Sequence, residues 1–327
     1  MGYRAKKIES ERRKRLIKIV LLCVLVFLFL GVCIFSFFVP VSEWKYRIKK
    51  PDIPARQEGE MRLHFLSVGQ GEASIVELPD GKVMLIDGGT SEEESKKTVL
   101  RYLNALSIDT IDYLVVTHTD TDHCGALQTV VEQKTVLNAY LPGTYDSTDK
   151  AYAGFYTALA KTTCLRQKAS RRVVVSANET PYTFAFLYPR EMDVDVDSSV
   201  LWLDYMGASA LFTGDAGMET ETLLMRDDGE LDLFSDYGVT LSKTEILSVG
   251  HHGSAYSSSR EFLGYLGVKT AVISCGKDNV YGHPTAEVLA RLKDVGATTY
   301  RTDTDGHILV TVAKDGTYTT ETIATDE

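Results

Sequence analysis

The residues most able to carry chemistry lie in a short stretch, 118–123, directly after a run of apolar residues. The stretch contains two histidines and two aspartates, namely His118, Asp120, Asp122 and His123. Imidazole nitrogens and carboxylate oxygens together suit divalent transition metals. Turn formation and helix capping are the alternative explanation for the aspartates. The set as a whole, taken with the residues below, favours a metal site.

Three more apolar runs end in residues that could bind a metal. They are followed by Asp87, by Asp215, and by the group His251, His252 and Ser254. Four of the seven histidines fall at these run ends, which scatter over a surface would not produce. Side chains at strand ends of an α/β sheet can converge on one edge. Asp215 could then bridge two cations about 3.5–4 Å apart, which stabilise the attacking and leaving oxygens of a displacement.

The segments between these residues alternate between strand and helix patterns. Residues 62–68, 73–79 and 82–87 predict three short strands. Residues 91–107 predict a helix with acidic residues in its first turn, as the helix dipole prefers. A second set of strands and helices begins near residue 199. Two such sets predict an α/β fold made of layers with buried sheets.

The N-terminus differs from the rest of the chain in charge and hydropathy. The net charge is −10 overall, but the first 50 residues carry 12 Lys or Arg and 3 Asp or Glu, which leaves the remainder at −19. Residues 19–39 are uncharged, and as a helix they span about 30 Å, the thickness of a bilayer core. Because basic residues precede them, the positive-inside rule places the N-terminus in the cytoplasm and the following residues outside.

These features predict a single-pass protein of the cell membrane with an extracellular catalytic domain. We expect a basic cytoplasmic segment over 1–15, a transmembrane signal anchor over 16–40, a linker over 41–60 and a hydrolase domain over 61–325. A cleaved signal peptide is the alternative, although no A-x-A pattern follows the apolar run. The cysteines, scattered and without a C-x-x-C pair, favour neither a disulfide framework nor a cysteine-zinc site.

The motifs of residues 61–325 resemble those of the metallo-β-lactamase superfamily, and within it the hydrolase domain of ComEC-type competence proteins. The segments that carry the resemblance are, in order, SVGQGEASIVELPDGKVMLIDGG, THTDTDHCGAL, SALFTGDAG, SVGHHGSAYSSS and YGHPTAEVLARL. The resemblance implies an αββα sandwich with a two-metal site on one edge, and a metal-dependent hydrolase.

The resemblance also implies roles for the candidate ligands. His118 and Asp120 would bind the first metal, and Asp122 and His123 the second, with Asp215 as the bridge between them.

One further histidine would complete the second metal site. It is either His251 or His252, and we favour His251 because it comes directly after the strand. Asp87 would not bind a metal itself but would orient the ligands that do. His283, in the YGHP segment, would face the substrate and donate a proton to the leaving group, although a loop histidine beside a helix is the alternative.

Two departures from the family pattern change which metal ions we expect the site to bind. Asp120 stands where the general superfamily motif has a histidine, as is typical of the ComEC-like branch. No histidine occurs between His123 and Asp215, where the family has another ligand, and Asp197 could substitute for it. An oxygen-rich first site shifts the preference from zinc toward manganese or magnesium. We therefore expect two divalent ions, manganese in function, with zinc as the alternative at the second site.

The remaining candidates concern the substrate and the catalytic step. We predict that Gln70, Gly71 and Ser254 contact the substrate, because the glycine turn lies at the site margin in the ComEC-like pattern and the serine loop offers donors for phosphate oxygens. A plain turn and a solvated loop are the alternatives. Asp122 and His283 are the predicted catalytic residues.

The predicted function is a membrane-anchored phosphodiesterase, and the ComEC-like resemblance implies a nuclease that acts on DNA. A metal-bound hydroxide would attack phosphorus, and the metals would neutralise the developing charge. A single membrane span leaves no room for a channel, so the protein would cut DNA and not transport it. No partner protein is implied.

The strongly acidic body leaves two alternatives open. Nucleic-acid affinity comes mostly from Lys and Arg on phosphates, and the one basic run, 166–172, could equally be a solvated loop. A hydrolase of smaller or wall-bound phosphodiesters, such as choline-bearing teichoic acid or nucleotides, is therefore the first alternative. A catalytically silent surface binding module is the second.

Overall fold

The structure is a computed structural model that describes residues 2–48, 50–143, 149–171, 174–176, 182–190, 198–229 and 238–325. The chain divides into two units, Met1–Ile48 and Lys49–Glu327. The first unit is a long helix, α1 (Gly2–Phe38), followed by a short 3-10 helix over Val41–Tyr46. Its segment Ile8–Phe37 has a mean hydropathy of 3.2 at its most apolar, so it can cross a membrane by length and composition alone. A signal sequence has the same properties.

The second unit consists of two β-sheets with helices packed against them. In chain order its elements are β1 (Met61–Phe65), β2 (Ser74–Glu77), β3 (Val83–Ile86), α2 (Glu93–Ala105), β4 (Thr110–Val115), α3 (Thr121–Cys124), α4 (Leu127–Gln133), β5 (Thr135–Leu141), α5 (Lys150–Leu159), β6 (Leu165–Lys168), β7 (Val174–Ser176), β8 (Tyr182–Tyr188), β9 (Val200–Tyr205), β10 (Ala208–Phe212), α6 (Met218–Gly229), β11 (Thr244–Ser248), α7 (Arg260–Leu266), β12 (Thr270–Ile273), α8 (Ala286–Asp294), β13 (Thr298–Arg301), α9 (Thr302–Asp305), β14 (His307–Val312) and β15 (Tyr318–Ile323).

Strand direction determines where the loops of this unit meet. Among the described strands, one sheet has the order β15-β14-β1-β2-β3-β4-β5-β6 and the other has the order β13-β12-β11-β10-β9-β8-β7. The pairs from β3 to β6 are parallel, and so are the pairs from β10 to β13. Because parallel strands end at the same edge of a sheet, the loops after β3 and β4 are neighbours, as are those after β10 and β11.

The two sheets pack face to face over an apolar core. Phe65 of β1 stacks on Phe212 of β10 with ring centroids 5.8 Å apart. Tyr113 of β4 meets Phe184 of β8 edge to face at 5.1 Å. Since buried aromatic side chains contribute large apolar areas and prefer these geometries, the contacts hold the two sheets together across their shared face.

Helices cover the outer faces of both sheets. Alternate residues of β1 face the inter-sheet core, so His64 points outward, where its Nδ1 lies 3.0 Å from the Tyr102 hydroxyl of α2. On the other side, Phe262 and Leu263 of α7 are buried with apolar residues of β11 and β12. The serine before α7, Ser259, caps the helix by accepting the Phe262 amide. The predicted αββα sandwich is confirmed.

Candidate metal centre

The candidate ligands lie in four loops, each of which follows a parallel strand. Asp87 follows β3, residues 118–123 follow β4, Asp215 follows β10, and His251 with His252 follows β11. Backbone hydrogen bonds join neighbouring loops of one sheet, such as the amide of His251 to the carbonyl of Gly214 at 2.9 Å, and link the two sheets, as from the amide of Ser199 to the carbonyl of Thr117 at 2.8 Å. The strands therefore bring residues more than 130 positions apart to one edge of the sandwich.

Two buried imidazoles are held so that their Nε2 atoms face the same space. His123 donates from Nδ1 to a carboxylate oxygen of Asp87 at 2.9 Å, and His252 donates from Nδ1 to the Ser274 carbonyl at 2.9 Å. With each Nδ1 engaged in this way, Nε2 is the ring atom of each histidine that can bind a metal, and the two Nε2 atoms lie 3.3 Å apart. Two ligands at about 2.0–2.1 Å from a tetrahedral zinc would be separated by roughly that distance. A carboxylate behind a ligand histidine is the usual arrangement in metal sites.

Asp215 lies between two groups of histidines, with one carboxylate oxygen directed at each. Its Oδ1 is 3.1 Å from His123 Nε2 and 3.8 Å from His252 Nε2. Its Oδ2 is 3.7 Å from His118 Nε2 and 3.5 Å from His251 Nε2. A carboxylate in this position can contact two cations at once, which is the role predicted for it.

Each of the other two aspartates, Asp122 and Asp120, lies near one of the histidines. Asp122 Oδ2 is 3.4 Å from His252 Nε2, and Asp120 Oδ2 is 3.9 Å from His118 Nε2. The Asp120 side chain is exposed. Asp122 therefore lies with the His252 group and Asp120 with His118, and their assignment to separate metals stays a prediction.

The residues present fit a bound cation. In the part of the chain that the structure describes, His118 Nε2 is buried and makes no hydrogen bond. A buried polar atom without a partner costs about 1–3 kcal/mol. His118, His123 and Asp215 offer donor atoms within 4.8 Å of one another, as do Asp122, His123 and His252. Two overlapping sets of nitrogen and oxygen donors match the ligand chemistry of two neighbouring divalent ions.

The electrostatics of the cluster also favour a cation. Burial, and then the charge of the neighbouring His123, lower the pKa of His118 to about 4, so its imidazole is neutral at pH 7. Burial alone would lower the pKa of His123, but Asp215 and Asp87 outweigh it and raise that pKa well above the usual range. The negative field that draws a proton to His123 would equally attract a metal ion.

The same contacts shift the pKa of Asp215 in the opposite direction. Burial would raise the pKa of Asp215, but the charge and hydrogen bond of His123 outweigh it and hold that pKa well below its usual range. Asp215 therefore stays ionised, as a bridging ligand must be.

The structure favours His252 over His251 for the second site, contrary to our expectation from the sequence. Both residues have left-handed backbones, with φ of 54° and 51°. This tight turn directs His252 inward, where it is buried beside Asp122 and His123. The His251 side chain stays 43% exposed, and its Nε2 faces Oδ2 of Asp215. Adjacency to the strand, the basis of our expectation, carries no information about this turn.

His283 also lies at the centre, on its exposed side. Its ring centroid is 5.8 Å from that of His251. Burial, and then the charges of His251 and His252, lower its pKa. Its predicted role as a proton donor stays a prediction. Asp197, the predicted substitute ligand, lies outside the described residues.

The three predicted substrate contacts occupy different environments. Gln70 accepts the Gly276 amide at 2.8 Å through its side-chain oxygen. A Cβ on Gly71 would lie 2.4 Å from the Asp122 carbonyl, so this glycine lets the two loops approach closely. Ser254 is buried. Their contact with a substrate stays a prediction.

Several polar residues that support the ligands were not identified from the sequence. Thr117 donates its hydroxyl to Asp87 at 2.6 Å, and both Thr117 and Ser198 place hydroxyl oxygens 3.0 Å from His118 Nδ1. Glu72 is buried and accepts the Ser248 hydroxyl at 2.5 Å. Thr117 and Glu72 lie within two of the segments that carry the family resemblance, whereas Ser198 lies outside all of them.

Comparison with known proteins agrees with this geometry. The family model "Metallo-beta-lactamase superfamily" matches residues 66–277. ComE operon protein 3 of Bacillus subtilis (strain 168) is 29% identical over 266 residues, 77% of this chain and 33% of that protein. Competence protein ComA of Neisseria gonorrhoeae is 31% identical over 262 residues, 79% of this chain and 33% of that protein. The chain thus spans about a third of the length of these relatives.

Among solved structures, CmlA, a diiron beta-hydroxylase from Streptomyces venezuelae, has the same fold. It superimposes with a TM-score of 0.50 at 15% identity, covering 80% of this chain and 55% of that one. The resemblance inferred from the motifs is confirmed, and the fold with its candidate ligands indicates a metal-dependent hydrolase. The chain belongs to the metallo-beta-lactamase superfamily.

Proposed function

We propose that this protein is a membrane-anchored phosphodiesterase that cleaves DNA outside the cell. The observation that carries the proposal is the position of Asp215, whose two oxygens are directed at separate histidine groups. Such a carboxylate can hold two divalent cations. When bound, the pair would supply an activated water and neutralise charge on the phosphate oxygens. Manganese is the ion we expect in function.

The protein's own residues would prepare the site for this chemistry. Asp87 and the Ser274 carbonyl fix the Nδ1 protons of His123 and His252, so both imidazoles keep one tautomer and one orientation. Thr117 fixes Asp87 in turn through its amide and its hydroxyl. These contacts preorganise the ligands before a substrate arrives, which lowers the reorganisation needed during the reaction.

His283 is the proposed proton donor to the leaving oxygen. Its lowered pKa favours the neutral imidazole in the free protein. A phosphate anion beside the ring would raise this pKa, because a nearby negative charge stabilises the imidazolium form. His283 would then be charged when substrate is bound, at the moment when a proton is needed.

DNA as the substrate is supported by the relatives, one of which is named a competence protein and another "Recombination protein 2" of Haemophilus influenzae. The edge strand β6 offers Arg166 and Lys168 on an exposed surface, where phosphates could be contacted. The orientation is supported by the basic residues before the apolar part of α1, since such residues favour the cytoplasmic side.

One observation favours a smaller phosphodiester as the second candidate substrate. The chain after residue 50 carries a net charge of −19, which opposes the binding of a long polyanion. A nucleotide or a wall-polymer unit presents fewer phosphates and would be repelled less.

The test uses the full chain in detergent with manganese or zinc added. Single-stranded DNA, duplex DNA and bis-p-nitrophenyl phosphate are supplied as separate substrates. We expect metal-dependent cleavage of DNA, lost in Asp215→Asn and retained in Asp52→Asn, a matched change at an exposed aspartate of the same unit. Turnover of the small diester alone would move the assignment to the second candidate. No metal-dependent turnover of any substrate would contradict the proposal.

A further inference from the structure

Two large apolar side chains project into solvent beside the metal centre. Val280 is 93% exposed and Tyr281 is 67% exposed. Both lie in the loop that leaves β12 and returns to the centre at His283. Single exposed apolar residues are ordinary on protein surfaces, so exposure alone indicates nothing. The setting of Tyr281 distinguishes it.

The loop that carries Tyr281 is held firmly. Asn279 donates to the carbonyls of Gly276 at 2.9 Å and His283 at 2.5 Å, and it accepts the His283 amide at 3.0 Å. The Gly276 amide is bound by Gln70 from the opposite loop at 2.8 Å. An aromatic ring on a braced loop loses little conformational entropy when a ligand packs against it.

An aromatic path leads from Tyr281 to the candidate ligands. The Tyr281 ring stacks on His283 with centroids 5.8 Å apart and planes 26° apart. His283 meets His251 edge to face at 5.8 Å, and His251 Nε2 is 3.5 Å from Asp215. The His283 ring therefore lies between Tyr281 and His251. A planar group on the open face of Tyr281 would therefore be separated from His251 by the rings of Tyr281 and His283.

We propose that Tyr281 is a stacking platform for a nucleobase, and that the substrate is single-stranded nucleic acid. The inference rests on the proposed function and specifies its substrate class. Every base has a flat aromatic face, and proteins that bind single strands stack bases on exposed aromatic side chains. Bases within a duplex are already stacked on each other and cannot reach the ring without unpairing.

The charge of the protein supports the same conclusion. With −19 on the chain after residue 50, phosphate contacts outside the metal centre contribute little attraction. Stacking does not depend on net charge, so it can supply affinity on an acidic surface. An acidic nuclease is thus better suited to unstacked bases than to the charged exterior of a duplex.

The test measures binding by fluorescence anisotropy, with the full chain in detergent and manganese present. The probe is a dye-labelled phosphorothioate oligothymidine of about 12 nucleotides, within the range of known single-strand sites. Phosphorothioate linkages resist hydrolysis, so binding is read independently of cleavage. Tyr281→Ala should weaken binding about 5- to 150-fold, the range expected for one stacked base. Tyr281→Phe, which keeps the ring, should bind like the unaltered protein.

Two controls separate stacking from a structural effect. Tyr256 is a matched tyrosine, 81% exposed in a nearby loop, and within the described residues no ring contact joins it to a site histidine. Tyr256→Ala should change binding less than threefold, about 0.7 kcal/mol. An abasic strand of the same length should bind the unaltered protein weakly, and Tyr281→Ala should weaken it no further.

The outcomes distinguish this inference from the proposed function. Equal losses for Tyr281→Ala and Tyr256→Ala, or equal binding of abasic and normal strands, would overturn the stacking role. Duplex binding tighter than single-strand binding would also overturn it. A protein that binds single strands through Tyr281 but cleaves no phosphodiester with any metal would retain the platform while the proposed hydrolysis fails.

Discussion

At the scale of single residues, the choice between two adjacent histidines is the most direct test of the centre. His252 is buried with its Nδ1 bound, whereas His251 is partly exposed. We expect His252→Ala to lower affinity for the second metal about 100-fold or more, because even loss of a supporting partner costs 10–100-fold. His251→Ala should cost less than about 10-fold. Isothermal titration with manganese measures both, and a larger loss for His251→Ala would reverse the assignment.

The proposed proton donor can be separated from the metal ligands. His283→Gln should lower kcat about 10²–10⁴-fold, the range for loss of a general acid. The number of bound metals should stay unchanged, since His283 ring atoms contact His251 and Tyr281 and no carboxylate of the centre in the described chain. Metal content by mass spectrometry and turnover of a diester with a poor leaving group provide the two readouts. A leaving group that needs no proton should restore most of the rate, and failure to restore it would contradict the donor role.

At the scale of elements, the approach of two loops depends on a glycine. Gly71 lies against the Asp122 carbonyl, where an added Cβ would be 2.4 Å from the oxygen. Gly71→Ala should therefore displace the loop that carries Asp122 and reduce metal affinity. Gly264 in α7 is the control, because an added Cβ there meets nothing within 4 Å. Gly264→Ala should leave binding unchanged and raise stability by up to about 1 kcal/mol. Thermal unfolding and metal titration test both changes.

A buried polar cluster on the outer face of the first sheet should make stability depend on pH. His307 of β14 accepts the Ser67 amide at 3.0 Å, and burial, then the charge of His64, lowers its pKa from 6.5 to about 4. A histidine with a lowered pKa in the folded state stabilises that state above pH 6.5, and the contribution is lost as pH falls toward 4. We expect the free energy of unfolding to drop over this window.

The comparison is with His307→Asn, which can keep an acceptor near the Ser67 amide. This variant should show a shallower loss of stability between pH 6.5 and pH 4, because one titrating group has been removed. Urea unfolding at several pH values measures the slope. An unchanged slope would show that His307 does not titrate in this range.

At the scale of the whole molecule, the two units should be separable. Unit Lys49–Glu327 contains both sheets and every described candidate ligand. We expect a chain that begins at residue 49 to remain in the aqueous phase and to keep its metal-dependent turnover of a small diester. The full chain should sediment with membranes because of α1. Fractionation followed by an activity assay tests this, and loss of activity in the shortened chain would show that the first unit is needed for folding or catalysis.

The layered α/β class and most helices could be predicted because their signals are local, whereas the αββα arrangement was implied by the family resemblance. Residues 82–87 and 91–107 carry strand and helix patterns that the structure places at Val83–Ile86 and Glu93–Ala105. Strands β6, β7 and β8 were not predicted, and of these β6 and β7 lie at sheet edges among the described strands. β6 is exposed along its whole length, so it has no apolar alternation to detect.

The sequence alone determined which residues gather at the centre, because each candidate follows an apolar strand and parallel strands end at a common edge. Only the tertiary structure decided how they are used. The choice of His252 over His251 depends on two left-handed residues. The support of His118 by Ser198, and the stacking of Tyr281 on His283, depend on contacts between loops. The hydrophobic pattern predicts where a strand ends and therefore which residues follow it at the sheet edge. The orientation of each side chain depends instead on turns and on partners distant in sequence.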